Sequence, residues 1–249
     1  PTDQACRRVG AKTQCYLRLH ELEVNGTGQT NGSRALHRQA IRCRQFGFGS
    51  VVMESKEPVN SGEKPATPVC SVIVPTRDKL NFLKPCIESI LASEDANSIE
   101  IVIVDNESIE IETKDYLSSL NARPNVRVLE WNEAFNFSAI NNFAAQQCLS
   151  DTVCFLNNDI EIKDPQWLGK LLSVTAIDEV GAVGCTLLYP DSHIQHAGIA
   201  LDAKTIAQHI AVGEDCDFLT KLGITQPYAV DAVTAACLVM RRGLFLRMG

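Results

Sequence analysis

The sequence has no run of the roughly 20 apolar residues that a membrane-spanning helix needs, so a helical integral membrane protein is excluded. It has no C-x-x-C pair, no G-x-G-x-x-G after its first apolar strand and no G-x-x-x-x-G-K-[ST] at any position. Paired-thiol zinc sites, dinucleotide binding and P-loop chemistry each lose their main support. No heptad, no internal repeat and no secretory leader pattern is visible. The main body is also short of positive charge. Residues 1–60 hold 9 Lys and Arg against 5 Asp and Glu, whereas residues 61–249 hold 14 against 25, within a net charge of −7. An acidic body is a poor platform for nucleic acid, so no nucleic-acid partner is expected.

What is present is an ordinary globular profile: 249 residues, 45% apolar and 21% charged. A chain of this size buries roughly 70–75% of its unfolded surface and needs no disulfide or structural metal to fold. Ten cysteines would suit a disulfide framework in a short secreted chain, but this chain is neither short nor leader-bearing. Cys70, Cys154, Cys185 and Cys237 sit in apolar runs, where a thiol acts as a small hydrophobe, and the reducing cytoplasm fits best. The chain begins with Pro1 and stops at Gly249, directly after the apolar segment 243–248, so a fragment cut at both ends is expected.

Two polar, Gly- and Pro-rich stretches, Asn25–Gly32 and Glu57–Pro68, read as linkers. They divide the chain into a small N-terminal segment (1–60), a linker (61–68) and a main domain (69–249). Within the first, a helix is expected from Ser33 to Phe46 and a strand over 50–53. From Val69 onward, short apolar strands alternate with helical patterns. Strands are expected at 69–75, 99–105, 126–129 and 152–156, with helices between them. Pro85 forces the first of these helices either to start near Asn81 or to kink. Asp164–Pro165 reads as an N-cap followed by a first-turn proline. Beyond residue 180 only short strands are expected, near 181–189, 198–201 and 236–241. Fully apolar strands alternating with helices predict an α/β fold, a mostly parallel, Rossmann-like sheet with helices on both faces.

In such a sheet, ligands bind outside the carboxyl ends of the strands. Three polar clusters fall there: Pro75-Thr76-Arg77-Asp78, Asp105-Asn106-Glu107-Ser108 and Asn157-Asn158-Asp159. Asp105 is placed either to accept from a base N–H or ribose hydroxyl, or to cap its own turn. Asp159 follows two asparagines, and such hard oxygen donors suit Mg²⁺ or Mn²⁺ shared with substrate phosphates; Asn-Asn-Asp is equally turn chemistry.

The ordered segments SVIVPTRD, IVIVDNES, FNFSAINN and FLNNDIEI resemble the inverting family-2 glycosyltransferases of GT-A fold. LLYPDSHIQHAGI, AVTAACLVMRR and LFLRMG resemble the rhamnosyltransferase-like, polysaccharide-building branch of that family. The likeness spans residues 69–249 and implies transfer of a sugar from a nucleoside-diphosphate donor to a hydroxyl of a glycan or lipid-linked glycan. It implies that Pro75, Thr76, Asp105, Asn141 and Asn158 bind the donor nucleotide. Asp159, in the place of the family's DXD motif, would hold Mg²⁺ or Mn²⁺. Asn157 replaces the first acid of that motif. The family's general base would lie beyond Gly249, and Asp231 does not match it. His196 matches a recurrent position without an assigned role, and a packing histidine is the favoured reading. The resemblance implies a cytoplasmic protein compatible with peripheral association at the inner membrane face. The competing expectation is a non-catalytic nucleotide- or carbohydrate-binding module on the same fold. A nucleotidyltransferase would need a Gly-rich basic loop after the first strand, which Thr76-Arg77-Asp78 does not supply.

Overall fold

The computed structural model describes residues 14–18, 67–201 and 207–248. The expected helix 33–46, the strand 50–53 and the linker Asn25–Gly32 lie outside the described residues, as does most of Glu57–Pro68. In chain order the elements are β1 (Gln14–Arg18), β2 (Ser71–Thr76), α1 (Leu80–Leu91), β3 (Glu100–Asp105), α2 (Ile111–Leu120), β4 (Val126–Glu130), α3 (Phe137–Gln147), β5 (Thr152–Leu156), α4 (Trp167–Thr175) and β6 (Val180–Cys185). Shorter pieces follow: β7 (Leu187–Leu188), β8 (Ile194–His196), β9 (Ile199–Ala200), β10 (Gln208–His209), α5 (Phe218–Lys221), β11 (Tyr228–Val230), β12 (Cys237–Arg241) and α6 (Arg242–Met248).

The central sheet has the order β11-β1-β6-β12-β5-β2-β3-β4. Its β5-β2-β3-β4 half is parallel, while β12 runs antiparallel to both β5 and β6. β1, from the N-terminal segment, pairs antiparallel with β6 and parallel with β11. Alternate residues of the parallel strands serve two cores. Val72, Val74, Ile101 and Ile103 pack with Leu83, Ile87 and Ile90 of α1, Leu117 of α2 and Leu168 of α4. Ile73, Val102 and Val104 pack on the other face with Ile140, Ala144 and Ala145 of α3. Strands apolar on both sides therefore have helices on both sides, as their composition requires. A third, smaller cluster of Ile194, Ala197, Leu219 and Tyr228 sits under the β8–β11 region.

Two local expectations are refined. α1 starts at Leu80 and runs through Pro85, which lies on the exposed face of the helix. α4 starts at Trp167, two residues after the expected first-turn proline. The reason is local: Asp164 Oδ1 accepts the Gln166 N–H at 3.0 Å and the Asp164 carbonyl accepts Trp167 N–H at 3.1 Å, closing a turn ahead of the helix. The second Asp164 oxygen pairs with Lys170. Of the four cysteines expected in the core, Cys70, Cys154 and Cys237 are buried and Cys185 is half-buried; burial pushes Cys86 up to about 12 and Cys148 to about 11, far from a reactive thiolate. No described helix is long and apolar enough to cross a membrane.

Candidate functional site

The path of the chain defines where a ligand would enter. From β2 it moves outward through β3 to β4, then returns across the sheet to β5 on the other side of β2. The direction of winding reverses between β2 and β5, with α1 and α4 on one face of the sheet and α3, the crossover into β5, on the other, and a ligand is expected at the carboxyl ends of the strands at such a reversal point.

The residues at that rim are knitted together. Thr76, the last residue of β2, is in register with Asp105, the last residue of β3. Its Oγ1 accepts from Asn158 Nδ2 at 3.0 Å, which ties the β5 turn to β2 across the reversal point. Its carbonyl accepts Asn106 N–H at 2.8 Å. Thr76, Asp105 and Asn158 thus occupy one rim, with Pro75 half-buried one residue earlier.

Asp105 does two things at once. Its Oδ1 accepts the Ser108 N–H at 3.1 Å and the Ser108 hydroxyl, the cap that turn chemistry predicts. Its Oδ2 has no hydrogen bond among the described residues, and the side chain is only half-buried. One oxygen is structural and the other is open to a ligand. Asp159 is exposed at the end of its turn and its carboxylate makes no hydrogen bond or ion pair among the described residues. Asn157 is held through its backbone, donating to the Ala236 carbonyl at 3.0 Å and accepting from Cys86 Sγ at 3.6 Å.

Asn141 is 3% exposed in the second turn of α3 and donates to the carbonyl of Phe137 at 2.8 Å. Its Oδ1 is buried without a hydrogen-bond partner. No hydrogen bond joins it to Thr76, Asp105 or Asn158 among the described residues. Asp231 is occupied elsewhere, its Oδ2 accepting the Leu201 N–H at 2.8 Å.

Three residues that the sequence reading gave no role build the rim. Asn106, 1% exposed, donates to the carbonyls of Trp131 and Glu133 at 3.1 and 3.0 Å, fixing the β4–α3 loop beside Asp105. Ser108 accepts the Asp78 N–H at 2.7 Å. Asp78 Oδ1 accepts the N–H groups of Ile109 and Glu110, both at 2.8 Å, where α2 begins. Asp78, Lys79 and Glu107 hold left-handed φ angles of 52°, 58° and 58°. Such strain persists where surrounding bonds over-determine it, and here they do. The one sequence signal available was the three-residue spacing of Asp105 and Ser108, the spacing of an Asx-type cap.

His196 is buried, as its packing reading implies. Its Nε2 accepts the Gly198 N–H at 3.2 Å. Burial, and next the neighbouring His209, lower its pKa to about 4. The folded protein keeps this ring neutral where the unfolded chain is protonated, so stability is expected to fall as pH drops from about 6.5 toward 4. Urea midpoints of wild type and His196→Gln at about pH 7.5 and pH 5 check this. The wild type is expected to lose on the order of 2 kcal/mol more than the variant, and parallel losses would contradict it.

An open groove of about 290 Å³ lies elsewhere, lined by Glu94, Asp95, Gln166, Gly169, Lys170 and Ser173. It sits beyond the end of α1, on the side where β3 begins, and two of its charged groups are engaged: Asp95 Oδ2 accepts the Gly169 N–H at 3.1 Å and Lys170 pairs with Asp164. It lies away from the strand-end rim.

A sheet whose parallel half carries a polar rim at its reversal point, extended by antiparallel β12, is of the GT-A type. The chain belongs to glycosyl transferase family 2, whose family model matches residues 71–245. It is 38% identical over 187 residues to the uncharacterized protein y4gI of Sinorhizobium fredii, covering 74% of this chain and 20% of that protein. It is 36% identical over 190 residues to the O-antigen biosynthesis protein RfbC of Myxococcus xanthus, covering 74% of this chain and 14% of that protein. The chain therefore spans only about a fifth or less of these relatives' lengths. Among solved structures, GalNAc-T7 with UDP, GalNAc and Mn²⁺ superposes with a TM-score of 0.55 at 16% identity, over 73% of this chain and 36% of that one, a likeness of fold.

Proposed function

We propose that residues 69–249 form a glycosyltransferase domain that moves a sugar from a nucleoside-diphosphate donor to a hydroxyl of a glycan or lipid-linked glycan, with inversion, in cell-surface polysaccharide assembly. The observation that carries this is the pair of open carboxylate groups, Asp105 Oδ2 and Asp159, on either side of Thr76 at the reversal point of the sheet. Asp105 Oδ2 would accept from the base or ribose. Pro75 and Thr76 would line the crevice. Asn158, bonded to Thr76, would set the turn that aims Asp159 at the diphosphate. The similarity to an O-antigen biosynthesis protein supports the polysaccharide setting.

The donor set at the turn fits a hard divalent cation. It offers one exposed carboxylate, so most ligands of a Mg²⁺ or Mn²⁺ would come from the diphosphate and water, the mode these cations favour. The solved GalNAc-T7 complex, which contains UDP and Mn²⁺, supports the same assignment. When bound, such an ion offsets the charge that develops on the leaving diphosphate. The chain's own residues bind and orient: Asp105 fixes one end of the donor and Asp159 the other, which aligns the anomeric carbon for attack from the opposite face. No general base is assigned among the described residues. Asn157, in place of an acid, favours the second reading, a binding module without turnover.

Calorimetric titration with UDP, dTDP and GDP, with and without Mn²⁺, tests the proposal. Metal-dependent binding of at least one nucleotide is expected, and no binding of any would refute it. Assay against a panel of nucleotide-sugars then separates transferase from binding module.

A further inference from the structure

Ser108 is 3% exposed and has a single hydroxyl hydrogen to give. Its Oγ accepts the Asp78 N–H at 2.7 Å, so one lone pair is turned toward Asp78. The hydrogen goes to the hydroxyl's other neighbour, Asp105 Oδ1. The Ser108 N–H reaches the same oxygen at 3.1 Å. Asp105 Oδ1 therefore holds two donors, while Oδ2 holds none among the described residues. The torsion that turns a carboxylate about its Cβ–Cγ bond is broad and two-fold. A carboxylate tied by one N–H can swing and exchange its oxygens. Tied by an N–H and a hydroxyl together, it keeps one chosen oxygen outward.

The group that orients the hydroxyl is itself anchored. Asp78 Oδ1 accepts the N–H groups of Ile109 and Glu110, both at 2.8 Å. Glu110 Oε2 reaches back to accept the Lys79 N–H at 3.2 Å, and it also accepts the Thr113 hydroxyl at 3.3 Å. The loops that follow β2 and β3 thus clasp each other in both directions. Asp78 and Lys79 on one loop and Glu107 on the other pay for this with left-handed φ angles, which non-glycine residues adopt at a cost. The Ser108 N–H alone closes the turn at Asp105. The hydroxyl and the clasp behind it add nothing the turn needs; their effect falls on the orientation of the carboxylate.

We propose that Ser108 is a positioning residue of the donor site, its hydroxyl set by Asp78 and holding the Asp105 carboxylate with Oδ2 toward the nucleoside end of the ligand. The inference rests on the nucleotide-sugar reading above. Ser108 does not touch the ligand, because its N–H and its hydroxyl are both spent inside the protein. Its part is preorganisation: the carboxylate is frozen before the nucleotide arrives, so binding does not bear the cost of ordering it.

Calorimetric titration of the chain with UDP and GDP in the presence of Mg²⁺ tests this. Ser108→Ala is expected to bind the preferred nucleotide roughly tenfold more weakly than wild type. Asp78 is half-buried, so water can take the bond its N–H loses, and the variant is expected to keep a cooperative urea transition. Ser108→Thr, which keeps the hydroxyl, is expected to recover most of the lost affinity; binding as weak as that of the alanine variant would overturn the proposal. The double variant with Asp105→Asn separates positioning from a merely structural role. A residue that acts through the Asp105 carboxylate has nothing left to orient once that carboxylate is gone. Ser108→Ala is therefore expected to add less than about a twofold loss in the Asp105→Asn background. An equal loss in both backgrounds overturns the proposal. Weakened binding in Asp105→Asn beside wild-type affinity in Ser108→Ala overturns this inference alone. A wild-type chain that binds neither nucleotide overturns the donor-site reading and this inference with it.

Discussion

Replacing Glu100 with alanine is expected to destabilise the fold by about 3–5 kcal/mol, the range seen when a buried ionic network loses a partner. Glu100 opens β3 at the end of the sheet away from the candidate site and is 3% exposed. Its Oε2 accepts the Ser71 hydroxyl at 2.6 Å and the Leu149 N–H at 3.0 Å, and its Oε1 pairs with Arg127. Arg127 also donates to the Gln147 carbonyl at 3.0 Å, and Ser71 Oγ accepts the Ser150 N–H at 3.2 Å. One carboxylate thereby fastens β2, β4 and the segment after α3 to β3. Alanine would leave a buried backbone N–H and a guanidinium without their acceptor. Arg127→Ala is expected to cost less, because the Arg127 side chain is about one-third exposed and water can replace part of it. Urea denaturation of both variants checks the ranking; a Glu100→Ala loss below about 1 kcal/mol would remove this network from the account of stability.

The second large effect concerns the proposed donor site. Asp159→Ala is expected to abolish metal-dependent nucleotide binding while leaving the urea midpoint unchanged, because the carboxylate is exposed and makes no bond that the fold uses. In an assay with the correct donor, turnover is expected to fall by about 10²–10³-fold, the usual cost of one preorganised electrostatic group. Asp105 needs a subtler change. Asparagine keeps an oxygen for the Ser108 cap and places an amide donor where Oδ2 stood, so the turn survives and the acceptor is lost. Asp105→Asn is expected to weaken nucleotide binding by about 10–100-fold, the worth of a charge-assisted bond. Calorimetry on the two variants beside wild type reads both effects, and wild-type affinity in either would contradict its assigned role.

The parallel half of the fold was readable because its physics is local and repetitive. Continuous apolar strands such as Ile101–Val104 demand cover on both faces, and that demand fixes where the helices lie and which ends of the strands face outward. The three polar clusters therefore follow β2, β3 and β5 at one end of the parallel half. What could not be read was set by bonds between residues about 30 positions apart. The seat of Asp78 on Ser108 and at the start of α2, and the double use of Asp105, depend on how two loops approach each other. The start of α4 was misplaced for a nearer reason: Asp164 spends its side chain on a turn and on Lys170 rather than on the helix N-terminus.

The central claim is that a nucleotide lies across Thr76, with its base at Asp105 and its diphosphate at Asp159. Backbone-amide NMR of the chain with a nucleoside diphosphate tests it most directly, first with Mg²⁺ and then with paramagnetic Mn²⁺. The prediction is that Mg²⁺-nucleotide shifts the amides of 105–108, and that Mn²⁺ broadens those of 157–160. Broadening centred on the groove at Asp95 and Lys170, with 105–108 and 157–160 unmoved, would contradict it.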